Sequence, residues 1–147
     1  MKRQDPKIAL LRRVPGLGGY ADRQLAQLAP LVDEAELPAG TILMEEGRPG
    51  RQTFLIVDGQ ADVTLRGQYL NRLGPGDFVG EMALLDAGPR SATVTAVTPM
   101  QVLVMDPASF ASLISQPSVS RRIASDLAGR LRRAEGAPTY EAERTSR

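Results

Sequence analysis

Cysteine and histidine are both missing from the 147 residues. Without cysteine there is no disulfide and no thiolate chemistry, and the redox compartment is left open. Without histidine the chain lacks the commonest general base and the commonest metal ligand. The first seven residues, Met-Lys-Arg-Gln-Asp-Pro-Lys, carry charge but no apolar run long enough for a signal peptide or a membrane span. That predicts a cytoplasmic protein with no membrane partner. Charge of one sign is also scarce: the net value is +1, which offers no global argument for a nucleic acid or an acidic surface. Five arginines nevertheless lie between positions 121 and 133. What is present is a chain 42% hydrophobic, long enough to bury a core as one domain.

Taken in order, residues 5 to 13 suit a short helix, with Asp5 as N-cap and Pro6 at the first helical position. Ile8, Leu10 and Leu11 would face inward, and Arg12 and Arg13 would face water. The stretch 15 to 19, Pro-Gly-Leu-Gly-Gly, reads as a flexible break. A second helix follows, with Asp22 near its start and Leu25, Leu28 and Ala29 on one stripe. After Pro30 the period changes. Ala35 to Leu37, Thr41 to Met44, Gln52 to Val57, Ala61 to Leu65 and Tyr69 to Leu73 read as strands. Glycine-bearing turns separate them at Gly40, Gly47, Gly50, Gly59, Gly67 and Gly74 to Gly76. Pro75-Gly76 suits the centre of a type II turn. A short apolar strand begins at Phe78, and two more strands run from Ala92 to Val97 and from Gln101 to Met105. Short strands at this spacing argue for a β-sandwich or barrel rather than a parallel sheet, and a count of about eight over residues 33 to 105 is one that a jelly roll would accommodate.

The pattern turns helical again at Asp106-Pro107, with Phe110, Leu113 and Ile114 on the apolar side. A longer helix is predicted over 118 to 134, capped by Ser118, with Ile123, Leu127 and Leu131 four apart. Residues 1 to 135 then make one domain, with N-terminal helices over 5 to 31 and C-terminal helices over 107 to 134. Residues 136 to 147 are polar and read as a disordered tail.

The chemistry concentrates between Phe78 and Val94. The strand breaks at Gly80, makes about one helical turn, passes a Gly-Pro corner and re-emerges at Ala92. Along it lie the carboxylate of Glu81, the guanidinium of Arg90 and the hydroxyl of Ser91. Free N–H groups at the start of a short helix attract an anion. Arg90 adds a two-pronged charged contact. Glu81 cannot hold an anion and needs a hydroxyl to accept from. A ligand with a phosphate beside a sugar hydroxyl satisfies both. Bland readings stand beside these: Arg90 as a turn arginine paired with Asp86, and Glu81 as a carboxylate favouring the helix dipole. Glu45 and Glu46, neighbours on a presumed strand, point to opposite faces and make no acid/base pair.

The Phe-x-Gly-Glu, Ala-Leu and Pro-Arg-Ser-Ala-Thr pieces of this stretch resemble the phosphate-binding cassette of the cyclic nucleotide-binding domain family. Gly47, Gly59 and Gly76-Asp77 add weaker matches. The resemblance covers roughly Leu10 to Arg133, and implies an eight-stranded jelly roll followed by two C-terminal helices. It implies a site at Gly80, Glu81, Met82, Ala83, Leu84, Arg90, Ser91 and Ala92. Arg90 would hold the exocyclic phosphate oxygens, helped by the Ala83 and Leu84 amides and by Ser91. Glu81 would take the ribose 2′-hydroxyl, and Gly80 would leave room for the sugar. In the family, threonine at the Ser91 position is associated with guanine and smaller residues with adenine, so serine leans toward cAMP over cGMP. The base lid would come from Leu127, Arg130 or Leu131 on the last helix.

No metal and no cofactor is expected besides the cyclic nucleotide. A metal-dependent jelly-roll enzyme or phosphodiesterase would need the histidines that are missing. Regulators of transcription in this family carry a helix-turn-helix after the last helix, and the dozen residues left here are too few for one. The reading is a stand-alone, non-enzymatic sensor that signals through its last helix to a protein effector or a second copy. The alternatives are a ligand-free docking domain of the same fold and a DNA-associated regulator.

Overall fold

The computed structural model describes residues 6–15, 17–80 and 90–115, with side chains described as far as residue 112. Among these residues eight strands form two four-stranded antiparallel sheets. One sheet has the order β1-β8-β3-β6 and the other β2-β7-β4-β5. The strands are β1 (Asp33–Leu37), β2 (Ile42–Met44), β3 (Thr53–Asp58), β4 (Ala61–Leu65), β5 (Gln68–Leu73), β6 (Phe78–Val79), β7 (Thr93–Ala96) and β8 (Met100–Met105). The helices are α1 (Pro6–Arg13), α2 (Asp22–Leu28) and α3 (Pro107–Ser115), with a short 3₁₀ turn at Ala29–Leu31. This is the jelly roll with flanking helices that the strand count accommodates and the resemblance implies.

Two apolar layers hold it together, and β3 serves both. Strand side chains alternate between faces. Phe54 and Ile56 point into the space between the sheets, with Ala61, Val79, Val94, Ala96, Met100 and Val102. Leu55 and Val57 point the other way, into a second cluster with Leu11, Val14, Leu25, Leu28, Leu103, Met105 and Phe110. The first sheet is therefore covered on both faces, by the second sheet and by the helices. That is why its central strand, Thr-Phe-Leu-Ile-Val, is apolar almost without interruption. Among the described residues the second sheet is covered on one face only, and its edge strand β5 is mostly exposed.

Several local expectations need correction. On either side of Gly16 the described residues after α1 form turns, where the composition suggests a flexible break. Leu17 and Tyr20 are buried. Successive amides donate three residues back, from Val14 to Leu11, Leu17 to Val14 and Tyr20 to Leu17. The Arg12 guanidinium does not simply face water. It donates to the carbonyls of Gly18 and Tyr20 and pairs with Asp22. Arg13 likewise reaches the Asp58 carboxylate and the Gln101 side chain. Strand β1 begins two residues early, at Asp33; it is an edge strand, and its acidic residues Asp33, Glu34 and Glu36 are all exposed.

Glu45 and Glu46 follow β2 in a turn rather than lying on a strand. Glu45 pairs with Arg48 at 3.7 Å, and Glu46 accepts from the Arg66 amide at 2.9 Å. The Gly74–Asp77 turn is as expected: Gly76 has φ +88°, and the Asp77 amide donates to the Gly74 carbonyl at 3.0 Å. Asp106 caps α3 through its Oδ1, which accepts from the Ser109 amide at 2.7 Å. Asp5, the helix over 118 to 134 and the tail over 136 to 147 lie outside the described residues. No helix among the described residues is long and apolar enough to cross a membrane.

Candidate functional site

Strand β6 pairs with β3 as Phe54 with Val79 and Leu55 with Phe78, at the edge of the first sheet. Directly after Val79 the chain turns at Gly80, whose φ of +83° favours glycine. Ten residues on, Arg90 returns to the same place from the second sheet, just ahead of β7. Its backbone is fixed from both directions. The Arg90 amide donates to the Arg48 carbonyl at 3.0 Å, and the Gly47 amide donates to the Arg90 carbonyl at 2.9 Å. The turn between β2 and β3 and the entry into β7 are thereby stitched together.

Three residues further along, the Thr93 hydroxyl accepts from the Glu46 amide at 3.0 Å. It also donates to the Glu46 carboxylate at 3.4 Å. The same carboxylate takes the Arg66 amide, which anchors the tip of the β4–β5 hairpin.

The Arg90 side chain lies across a cradle of main chain. Nη2 donates to the Gln52 carbonyl at 2.7 Å, and Nη1 donates to the Gly80 carbonyl at 3.5 Å. The Gly80 carbonyl is held from behind by the buried Thr53, whose hydroxyl donates to it at 3.4 Å. Two glycines form the walls. A Cβ on Gly80 would stand 2.7 Å from Arg90 Nη1 and 2.8 Å from the Gln52 carbonyl oxygen. A Cβ on Gly50 would stand 2.7 Å from Arg90 Nε and 3.1 Å from Nη2. The guanidinium is partly exposed in this cradle. A planar fork of N–H donors fixed by backbone is matched in shape and charge to the oxygens of a phosphate.

Of the residues expected at the site, the structure brings Gly80 and Arg90 into contact, with Ser91 exposed beside them and Ala92 buried below. Gly80 was expected to clear room for a sugar; the atoms nearest its missing side chain are those of Arg90 and Gln52. Glu81, Met82, Ala83 and Leu84, with Asp86, lie outside the described residues, and so do Leu127, Arg130 and Leu131.

Sequence reasoning missed Gly50, Gln52 and Thr53. Gly50 was one turn glycine among many. Gln52 contributes a carbonyl, which every residue has, so no side chain announces it. Thr53 carries a signal only in hindsight, as the one polar residue opening an apolar strand. No group of three or more acidic, histidine or cysteine side chains that could hold a metal occurs among the described residues.

Comparison with known proteins agrees with this arrangement. A family model described as the cyclic nucleotide-binding domain matches residues 34–117. A CRP-like cAMP-activated global transcriptional regulator of Mycobacterium tuberculosis is 29% identical over 130 residues, covering 84% of this chain and 58% of the regulator. The Pycsar effector protein XpPycTIR of Xanthomonas perforans is 37% identical over 128 residues, covering 84% of this chain and 42% of the effector. The chain thus spans about half the length of these relatives. Among solved structures, the N-terminal domain of a transcriptional regulator from Streptomyces coelicolor A3(2) superimposes with a TM-score of 0.63 at 31% identity. That match covers 89% of this chain and 95% of the other.

Proposed function

The chain belongs to the cyclic nucleotide-binding domain family, and on that premise we propose that it is a cyclic nucleotide-responsive regulatory module that grips its ligand by the phosphate at Arg90. One observation carries the reading. Arg90 is buttressed by two backbone carbonyls and two glycines at the point where the chain leaves β6. A solvated turn arginine needs no such support. In this reading Glu81 accepts from the ribose 2′-hydroxyl. The Ala83 and Leu84 amides and Ser91 share the phosphate, and Met82 and Ala92 line the pocket.

The ligand proposed is cAMP rather than cGMP, on the serine at position 91 and on the name of the cAMP-activated relative. The module carries out no reaction of its own. Its output runs through the helix expected over 118 to 134, closing over the base with Leu127, Arg130 or Leu131, to a protein effector or a second copy. Ligand would shift that helix between two positions.

Isothermal titration of the protein with cAMP and cGMP tests the proposal, with cUMP as a pyrimidine comparison. Saturable binding with cAMP the tightest supports it in full. Binding led by another of the three keeps the module and changes the ligand. Heat-free titrations with all three would leave a docking domain of the same fold.

A further inference from the structure

Gly50 and Gly80 crowd the same guanidinium for different reasons. Gly80 has a backbone that favours glycine, and part of what its Cβ would meet is main chain. Gly50 has neither property. Its φ is outside the left-handed region, so an alanine could adopt its backbone conformation. The three nearest atoms to its missing Cβ all belong to the Arg90 guanidinium: Nε at 2.7 Å, Nη2 at 3.1 Å and Cζ at 3.3 Å. A methyl group there would displace the tip of a flexible side chain and leave the fold alone.

We infer that Gly50 is a positioning residue for ligand binding: its bare Cα is the wall against which Arg90 lies, and so sets where the guanidinium meets the phosphate. The inference rests on the reading that Arg90 takes the phosphate. Among the described residues the guanidinium meets the Gln52 carbonyl, the Gly80 carbonyl and the face of Gly50. The two hydrogen bonds hold its Nη groups, and Gly50 lies against its Nε side. Adding a methyl group at 50 moves the Nε edge away and breaks the alignment of Nη2 with Gln52, its shortest bond in the cradle. Lysine at position 90 has no planar group to lie against Gly50, so the wall should then lose its purpose.

The test uses the full chain as wild type, Gly50→Ala, Arg90→Lys and the double variant. Titration with cAMP should show Gly50→Ala weakening binding by roughly 10- to 100-fold, the scale for misplacing a positioned group. Its thermal midpoint should match the wild type. In the Arg90→Lys background the same change should have at most a small effect, because coupled residues do not add. In ligand-free protein, the Arg90 Nε–Hε resonance, assigned by its loss in Arg90→Lys, should shift to the value of a freely solvated arginine in Gly50→Ala. Equal losses in both backgrounds, unchanged affinity or a collapsed fold would each overturn the inference. If the wild type binds no cyclic nucleotide, the function reading fails, and the resonance decides alone whether Gly50 places Arg90.

Discussion

A glycine with no room for a side chain flanks each end of β3, crowded by residues that flank β7, but the atoms that crowd it differ. At the far end, beyond Asp58, a Cβ on Gly59 would lie 2.4 Å from the Pro99 carbonyl oxygen and 2.9 Å from the Met100 Cα. Here φ is +94°, and the two turns are laced by bonds from the Val97 amide to the Gln60 carbonyl and from the Gln60 amide to the Thr98 hydroxyl. At the near end, ahead of Thr53, the three atoms nearest a Cβ on Gly50 all belong to the tip of Arg90. A main chain cannot step aside, whereas a guanidinium can. The same residue type under similar crowding therefore serves the fold at one end and the site at the other. Only the neighbouring atoms reveal which.

The largest effect that would sharpen this contrast lies at the site end. Arg90→Ala should weaken cAMP binding by about 2–5 kcal/mol, the range for removing one partner of a buried, hydrogen-bonded charge pair. The fold should stay intact, as read by thermal unfolding. Calorimetry showing unchanged affinity would place the anion elsewhere and dissolve the contrast. At the far end the signs reverse. Gly59→Ala combines left-handed backbone strain of about 1–3 kcal/mol with overpacking of similar size. A loss of roughly 2–4 kcal/mol in urea unfolding is expected on those terms. Whatever fraction remains folded should bind cAMP as the parent does.

Glu81→Gln comes next, and it concerns the ribose rather than the phosphate. Losing the charge from one hydrogen bond should weaken binding by about 1.5–3 kcal/mol. The parent should bind 2′-deoxy-cAMP poorly, and the two losses should not add. If they add fully in a cycle of protein and ligand changes, Glu81 does not contact the sugar.

These contrasts also mark what could be read from the sequence. The strands were legible because alternation and turn glycines report directly on pleat and chain reversal, as at β4, β7 and the Gly74–Asp77 turn. Gly80 and Arg90 were legible because they sit in a spaced pattern of unlike residues. Gly50 was not, since a glycine shows that a side chain is missing but not what fills the space. The carbonyls of Gln52 and Gly80 are silent for the same reason: they belong to the backbone that all residues share. The turn after α1 was misread because its glycines outweighed Leu17 and Tyr20, which are buried in a cluster that includes residues of β3, β8 and α3, distant in sequence. Local composition cannot report a contact made across the fold.

The smallest expected effect tests whether nearness to the site is enough to make a residue part of it. Asp106 follows Met105, which pairs with Thr53, so it stands at the site end of the sheet. Its partners nevertheless belong to its own helix. The Ser109 amide is foremost, with smaller help from the Ser109 hydroxyl and the Ala108 amide, and together they hold the Asp106 carboxyl below its ordinary value of 3.8. A carboxyl with a lowered folded pKa adds stability that is present above the ordinary value. That stability is lost as pH falls through the folded value, because both states then hold the proton.

Asp106→Ala should therefore lower the thermal midpoint at neutral pH, and the gap to the parent should close as the buffer is taken below the carboxylate range. Asp106→Asn, which keeps an oxygen for the Ser109 amide, should lose less at neutral pH and show little of that dependence. Neither change should move the affinity for cAMP, since among the described residues the hydrogen bonds of Asp106 close within α3. A gap that persists in acid would remove the charge from the account. A shift in affinity would carry more weight, because it would make the start of α3 part of the binding site and extend the site end of the roll into its C-terminal helices.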